Sequence, residues 1–135
     1  MTIIYTFSEH HIKQLCLLYN EMGWGQNRSL EDVSNCVHGS QVCIGIVDKD
    51  NNLIGFTRII SDYIYKAFIF DVMVRAEHRG KGLGQKLINI VKNHEKLKKV
   101  KHFELYCLPE MEVFYSSFGF STDVDGIKLM RCTNA

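Results

Sequence analysis

The sequence lacks most of the features that would place it outside the ordinary globular class. Its 135 residues contain one proline, Pro109, and no repeat, linker or low-complexity segment. Hydrophobic residues make up 46% of the chain, enough to build a core, so intrinsic disorder is excluded. No run of about 18 apolar residues occurs, and no membrane-spanning helix is expected. Sixteen basic residues stand against 15 acidic ones, a net charge of +1 that leaves no electrostatic footprint for nucleic acid. The stretch Met1–Phe7 has no basic segment ahead of a long apolar one, which argues against secretion. Cys16, Cys36, Cys43, Cys107 and Cys132 are odd in number and lack metal-ligand spacing, and the histidines show no paired pattern. Reduced thiols in a cytoplasm, no metal, and a single domain over residues 1–135 are the expectation.

What is present is an alternation of strand and helix signals. Ile3 to Phe7 reads as a strand. Ser8 can cap a helix that places Ile12, Leu15, Leu18, Tyr19 and Met22 on one face, with Gly23-Trp24-Gly25 ending it. Ser29-Leu30-Glu31-Asp32 opens a second helix that runs to about His38. Gln41–Val47 and Leu53–Ser61 flank a polar turn and predict an antiparallel hairpin, with Gly55 marking a bulge. Ala67–Val74 is apolar apart from Asp71, as in a central strand. Strict alternation would put Phe68, Phe70, Val72 and Val74 on one face and Ala67, Ile69, Asp71 and Met73 on the other. A helix starts near Gly82 with Leu83, Leu87, Ile88 and Val91 in register. His102–Cys107 predicts a strand and Glu110–Phe118 a short helix closed by Gly119. Asp125-Gly126, between Phe120–Val124 and Ile127–Cys132, is a two-residue hairpin signal. The expected fold is α/β, a mixed sheet with helices on its faces.

Arg79-Gly80-Lys81-Gly82-Leu83-Gly84 lies between the apolar strand and an amphipathic helix. Glycines let the backbone approach a ligand closely, and amides pointing into one concavity at a helix N-terminus form an anion site. Arg79 and Lys81 add positive charge. The loop fits neither the Walker pattern nor the dinucleotide pattern G-x-G-x-x-G, because Gly84 is followed by Gln85-Lys86-Leu87.

Arg79-x-x-Gly82-x-Gly84, after a strand that ends Asp71-Val72-Met73-Val74, resembles the acetyl-CoA signature of the GNAT superfamily of N-acetyltransferases. The segment Phe114-Tyr115-Ser116-Ser117-Phe118-Gly119-Phe120 is similar to that family's Phe-Tyr-x-x-x-Gly-Phe. The order of elements agrees along essentially the whole chain. The resemblance implies a mostly antiparallel sheet, splayed at its centre, that admits acetyl-CoA as co-substrate. It implies that backbone groups of Val72, Met73 and Val74 pair with the pantetheine arm, and that the amides of Arg79, Gly80, Lys81, Gly82, Leu83 and Gly84 hold the pyrophosphate. It also implies that an N–H near the splay stabilises charge on the thioester oxygen.

By the same resemblance Tyr115 is the candidate acid for the departing thiolate, a phenol being protonated at neutral pH. A core tyrosine is the other reading. Met111 stands where the family commonly has an asparagine. Relatives often carry Glu or His at the sites of Phe68 and Phe70, where this chain has rings that take no proton. Asp71 is the one carboxylate on the strand and a candidate base or substrate ligand, with a water chain as its equal. Trp24 and Arg28 lie where the family builds its substrate pocket, and with Phe68 and Phe70 they suggest aromatic walls. The implied reaction is direct attack of a small-molecule primary amine on acetyl-CoA. The alternatives are acetylation of protein N-termini or lysines, and a non-catalytic acyl-CoA-binding regulatory domain. No nucleic-acid or membrane partner is expected. A homodimer, common among relatives, is the expected assembly.

Overall fold

A serine ahead of a helically spaced apolar face sets each of the first two helices. In the computed structural model, which describes residues 1–134, strand β1 (Thr2–Ile4) precedes helix α1 (Glu9–Asn20). At the start of α1 the His11 amide donates to Ser8 Oγ at 3.3 Å, and the Ser8 amide donates to His11 Nδ1 at 3.1 Å, a reciprocal cap. Helix α2 (Leu30–His38) is capped by Ser29, whose Oγ accepts from the Asp32 amide at 3.0 Å. Strands β2 (Val42–Val47), β3 (Leu53–Ser61) and β4 (Lys66–Val74) follow, then helix α3 (Leu83–Lys92), strand β5 (His102–Leu105) and helix α4 (Glu112–Ser116).

The sheet order is β1-β2-β3-β4-β5, antiparallel except for the parallel pair β4–β5. A parallel neighbour needs a crossover, which α3 supplies. Helices cover both faces. On one, Ala67, Ile69, Ile44 and Ile46 pack with Leu83, Leu87, Ile88 and Val91 of α3. On the other, Phe56, Cys43 and Met73 pack with Leu15, Leu18 and Tyr19 of α1 and Val33 of α2. Burial on both faces explains why β2 and β4 read as apolar runs.

Two irregularities shape the sheet. Ile46 pairs with Gly55 and Val47 with Leu53, so the extra residue, Ile54, lies beside the glycine expected at a bulge. In β4 the pairing passes from Met73↔Phe56 to Phe70↔Arg58, and Asp71 has φ +56°. Two residues of β4 thus oppose Thr57 alone, whose hydroxyl donates to the Phe70 carbonyl at 2.8 Å.

The bulge corrects the strict alternation along β4. Ala67 and Ile69 lie on the α3 face, but beyond the bulge Val72 and Val74 lie on that face and Met73 on the other. Asp71 therefore turns toward α1, on the side where Phe70 meets Arg58, and not away from it. One inserted residue exchanges the two faces, because side chains repeat every second position.

Other bounds differ from those the sequence predicts. Strand β1 ends at Ile4, short of Phe7, and β5 at Leu105, short of Cys107. Cys107, beyond the end of β5, is exposed. Residues 120–132 form no strands, although Asp125 (φ +57°) and Gly126 (φ +78°) make the tight turn, closed by the Ile127 amide on the Val124 carbonyl at 3.2 Å. The splay lies between β4 and β5, and among the described residues no strand follows β5.

Candidate active site

The splay is built by unequal strand lengths. β4 pairs with β5 from Lys66↔His102 to Ile69↔Leu105, then β4 runs on to Val74 while β5 ends and the chain turns toward α4. A cavity of about 470 Å³ opens between them. Val72 and Val74 form one wall, Met111, Phe114 and Tyr115 another, and the loop from His78 to Gln85 forms the end.

That loop leaves amides free. Gly80 and Gly82 have φ +78° and +81°, a region that side chains resist. Gly82 caps α3 without a side chain, and the first helical bond runs from the Lys86 amide to the Gly82 carbonyl at 3.0 Å. The amides of Leu83, Gly84 and Gln85 therefore have no partner within the helix. A Cβ on Gly84 would lie 3.3 Å from the Phe114 ring, so this glycine lets α3 approach α4 closely. No lining residue is Asp or Glu. An anionic pyrophosphate fits the free amides, and an apolar arm fits Val72, Val74 and Phe114.

The two basic residues of the loop differ, since Arg79 lines the cavity and Lys81 does not. The Arg79 amide donates to the Ala76 carbonyl at 3.3 Å, and its Nε donates to the Val74 carbonyl at 3.1 Å. Lys81 is exposed and is not part of the cavity lining.

Tyr115 is 8% exposed, edge-on to Phe114 and Phe120. Its hydroxyl makes no hydrogen bond among the described residues, and the ring lines the cavity. Burial, and secondarily the nearby Cys107, push the phenol up to about 12. The group keeps its proton at neutral pH and has it free to donate.

Asp71 is committed elsewhere. Its Oδ2 accepts from Arg58 Nε at 2.7 Å and from the Tyr19 hydroxyl at 2.5 Å, and Arg28 Nη1 lies at 4.0 Å. Taking a proton from a substrate would break that arrangement. Burial above all, and then Asp71 itself, push the Tyr19 phenol above its ordinary range, so it stays a donor. Arg28 lies 4.4 Å from the Tyr19 ring centroid and 5.3 Å from that of Trp24, which is 54% exposed.

Aromatic rings of β4 and of the chain after β5 also come together. Phe68 and Phe70 stack at 6.2 Å, Tyr106 stands edge-on to Phe70 at 5.9 Å, and Arg58 lies 4.9 Å from the Phe70 centroid. Trp24, Arg28, Asp71, Arg58, Phe70 and Phe68 thus form one connected surface. Sequence reasoning named all but Arg58 and missed Tyr19 and Tyr106 as site residues. An arginine amid the apolar Leu53–Ile60 was the available signal for Arg58. Nothing local pointed to Tyr106, which depends on where β5 ends.

Among the described residues no cluster of three or more His, Cys, Asp or Glu is placed to hold a metal ion, and no helix is long and apolar enough to cross a membrane.

The family model for the acetyltransferase (GNAT) domain matches residues 39–122. The chain is 30% identical over 124 residues to an uncharacterized N-acetyltransferase, ycf52, of Pyropia yezoensis, covering 90% of this chain and 69% of that protein. It is similar in structure to a Xanthomonas campestris pv. campestris protein of the gnat family, with a TM-score of 0.81 and 26% identity, over 99% of this chain and 94% of that one. An aminoglycoside 6′-N-acetyltransferase complexed with coenzyme A shares the fold, with a TM-score of 0.66 and 19% identity over 78% of this chain and 61% of that one.

Proposed function

This chain belongs to the GNAT family of acetyltransferases, and on that premise we propose that it moves the acetyl group of acetyl-CoA to the primary amine of a small molecule, both substrates being held together. The observation that carries this reading is the convergence on one cavity of the free α3 amides, the unpaired end of β4 and the free Tyr115 hydroxyl.

Leu83, Gly84 and Gln85 bind the pyrophosphate through their amides, aided by the start of the α3 dipole. Val72 and Val74 flank the pantetheine arm, which takes the place β5 leaves empty. The acceptor enters from the Trp24–Phe70 side, where Arg28 and the stacked Phe68 and Phe70 orient it. Holding both reactants removes most of the entropic cost of their meeting. As the amine nitrogen bonds to the acetyl carbon, the carbon–sulfur bond breaks and Tyr115 gives its proton to the departing sulfur. The nitrogen's proton passes to water at the mouth of the cavity, since Asp71 is held by two guanidinium groups and a phenol. Asp71 then acts as a positioning residue that fixes Arg28 and Arg58.

The acceptor should carry its amine on an apolar or aromatic body. Its pocket wall is aromatic, and Arg28 and Arg58 together outweigh the charge of Asp71, so a polycation would lose hydration without gaining a partner. Thiol release from acetyl-CoA, measured against a panel of amines, tests this. Turnover with arylalkyl amines at least about tenfold above spermidine is expected from the pocket's character. Faster turnover of polyamines, or of a lysine peptide, would contradict the acceptor assignment. Binding of acetyl-CoA without turnover of any amine would favour a regulatory domain.

A further inference from the structure

The acceptor surface and the phosphate loop are far apart in the chain, yet one short segment reaches both. The turn between α1 and α2 carries Trp24 and Arg28 into the acceptor surface. Its first residues reach the other side. Glu21 closes α1, its amide donating to the Leu18 and Tyr19 carbonyls. Its side chain leaves the helix and meets the chain just after β4. Glu21 Oε1 accepts from the Ala76 amide at 2.9 Å, and Oε2 lies 3.5 Å from Arg75 Nε. One residue on, Met22 Sδ lies 4.0 Å from Arg79 Nη2. Arg75 and Ala76 connect the end of β4 to the loop that Arg79 opens.

The two contacts of Glu21 are unequal. Arg75 Nε is also 3.9 Å from Glu77, and the side chains of Arg75 and Glu21 both reach solvent, where an ion pair contributes little. The Ala76 hydrogen bond joins a carboxylate to a backbone amide. It is charge-assisted, and it fixes the chain itself and not a flexible side chain.

From Glu21 to the acceptor surface the path is short and tightly folded. The Met22 amide donates to the Tyr19 carbonyl at 3.0 Å, and the Gly25 amide to the Met22 carbonyl at 3.1 Å. A Cβ on Gly25 would lie 2.8 Å from the Tyr19 carbonyl oxygen, so only glycine lets the turn press onto the end of α1. Trp24 stands edge-on to Tyr19 at 5.9 Å, and Arg28 lies against both rings. Glu21, Met22 and Trp24 themselves lie outside the cavity that the loop closes.

We propose that Glu21 is a positioning residue that joins the two sides of the site. Through its hydrogen bond to the Ala76 amide it sets the Met22–Arg28 turn, and with it Trp24 and Arg28, according to the state of the phosphate loop. The inference rests on the reading of that loop as the acetyl-CoA site. Occupation of the loop and the geometry of the acceptor surface are then coupled, and by linkage the coupling acts in both directions.

Trp24 is the one tryptophan of the chain, so its fluorescence reports on this turn alone. Acetyl-CoA titrated into the full chain should change Trp24 emission along the same curve that calorimetry gives for binding. Glu21→Ala should bind acetyl-CoA within about tenfold of the wild-type affinity, because Glu21 is outside the cavity, and should lose the Trp24 change. Glu21→Gln keeps an acceptor for the Ala76 amide and should restore it. A merely structural role would lower the Tm of Glu21→Ala and leave its Trp24 change in place. A silent Trp24 in wild type that binds, a full response in Glu21→Ala, or a Glu21→Gln variant as silent as the Ala variant would each overturn the proposal and leave the acetyl-CoA reading standing. Absence of calorimetric binding to wild type would overturn that reading and this inference together. Should Glu21→Ala fail to fold, hydrogen exchange in the unsubstituted chain decides. Acetyl-CoA should slow exchange of the Ala76, Met22 and Gly25 amides, and unchanged rates would overturn the coupling.

Discussion

From Ala67 to Ile69, β4 has a paired strand on each side, whereas from Phe70 to Val74 it has β3 alone. The first half is regular and feeds Ala67 and Ile69 into the core under α3. The second half begins at a bulge with a left-handed aspartate, and its free side faces a cavity. Both halves are apolar in sequence, so hydrophobic content does not distinguish them. What does is where β5 ends, together with one inserted residue. The proposed function places chemistry where the sheet stops satisfying itself, and stability where it continues.

Substitutions at the open half should change chemistry, and those at the paired half should change folding. The largest effect is expected at Tyr115. Tyr115→Phe keeps the ring and its packing and removes the proton donor, so kcat should fall by roughly 10²–10⁴-fold. Calorimetry should show acetyl-CoA affinity changed less than about tenfold, since the hydroxyl is not part of the phosphate cradle. Pre-steady-state rates exclude masking by product release. The pH response follows from the same group. Its proton is held more tightly folded, at about 12, than at the ordinary value of 10. Its contribution to stability is complete below pH 10 and is lost as pH rises toward 12. Chemical denaturation of wild type and Tyr115→Phe across that window should show the wild type alone weakening by this route.

Gly82→Asp comes next. The left-handed backbone costs a side chain about 1 kcal/mol, and a negative charge at a helix start returns about 0.3–1 kcal/mol. The variant should fold with its Tm nearly unchanged. Its carboxylate would occupy the amides that phosphate needs, and acetyl-CoA should bind at least about 100-fold more weakly by calorimetry. Loss of the fold together with binding would show that the loop is structural.

Asp71→Asn tests the bulge. Asparagine tolerates the left-handed backbone but leaves Arg58 and Arg28 without their anion. The cost should be about 2–3 kcal/mol, below the roughly 3–5 of a fully buried pair because both arginines reach solvent. Denaturant unfolding measures it. kcat should fall less than about tenfold, with KM for the amine rising more, as befits a positioning residue. A kcat loss above about 100-fold at unchanged KM would make Asp71 the base.

In the paired half, Ile69→Val should cost about 0.5–1.5 kcal/mol in stability and leave kcat and acetyl-CoA affinity alone. A change in affinity there would dissolve the distinction between the halves.

Much of this division was legible in the sequence, for local reasons. Ser8 and Ser29 mark their helices because capping depends on neighbours in the chain. Gly80 and Gly82 mark the loop because only certain residues take its backbone angles. The face of Asp71 was not legible, since a bulge is decided by the pairing of β3 against β4 and not by β4 itself. Nor was the fate of the Asp125-Gly126 segment. The turn is a local property and forms, whereas a strand needs a partner, and the described monomer provides none. Arg58 and Tyr19 became part of the site through Asp71, a contact that spans distant parts of the chain.

The measurement closest to the central claim is an amide chemical-shift titration of the protein with acetyl-CoA. The account predicts the largest shifts at Leu83, Gly84, Gln85 and Val72–Val74, with Tyr115 following and Lys66–Ile69 and α2 nearly unmoved. Shifts centred on any other surface, or none at millimolar acetyl-CoA, would contradict it.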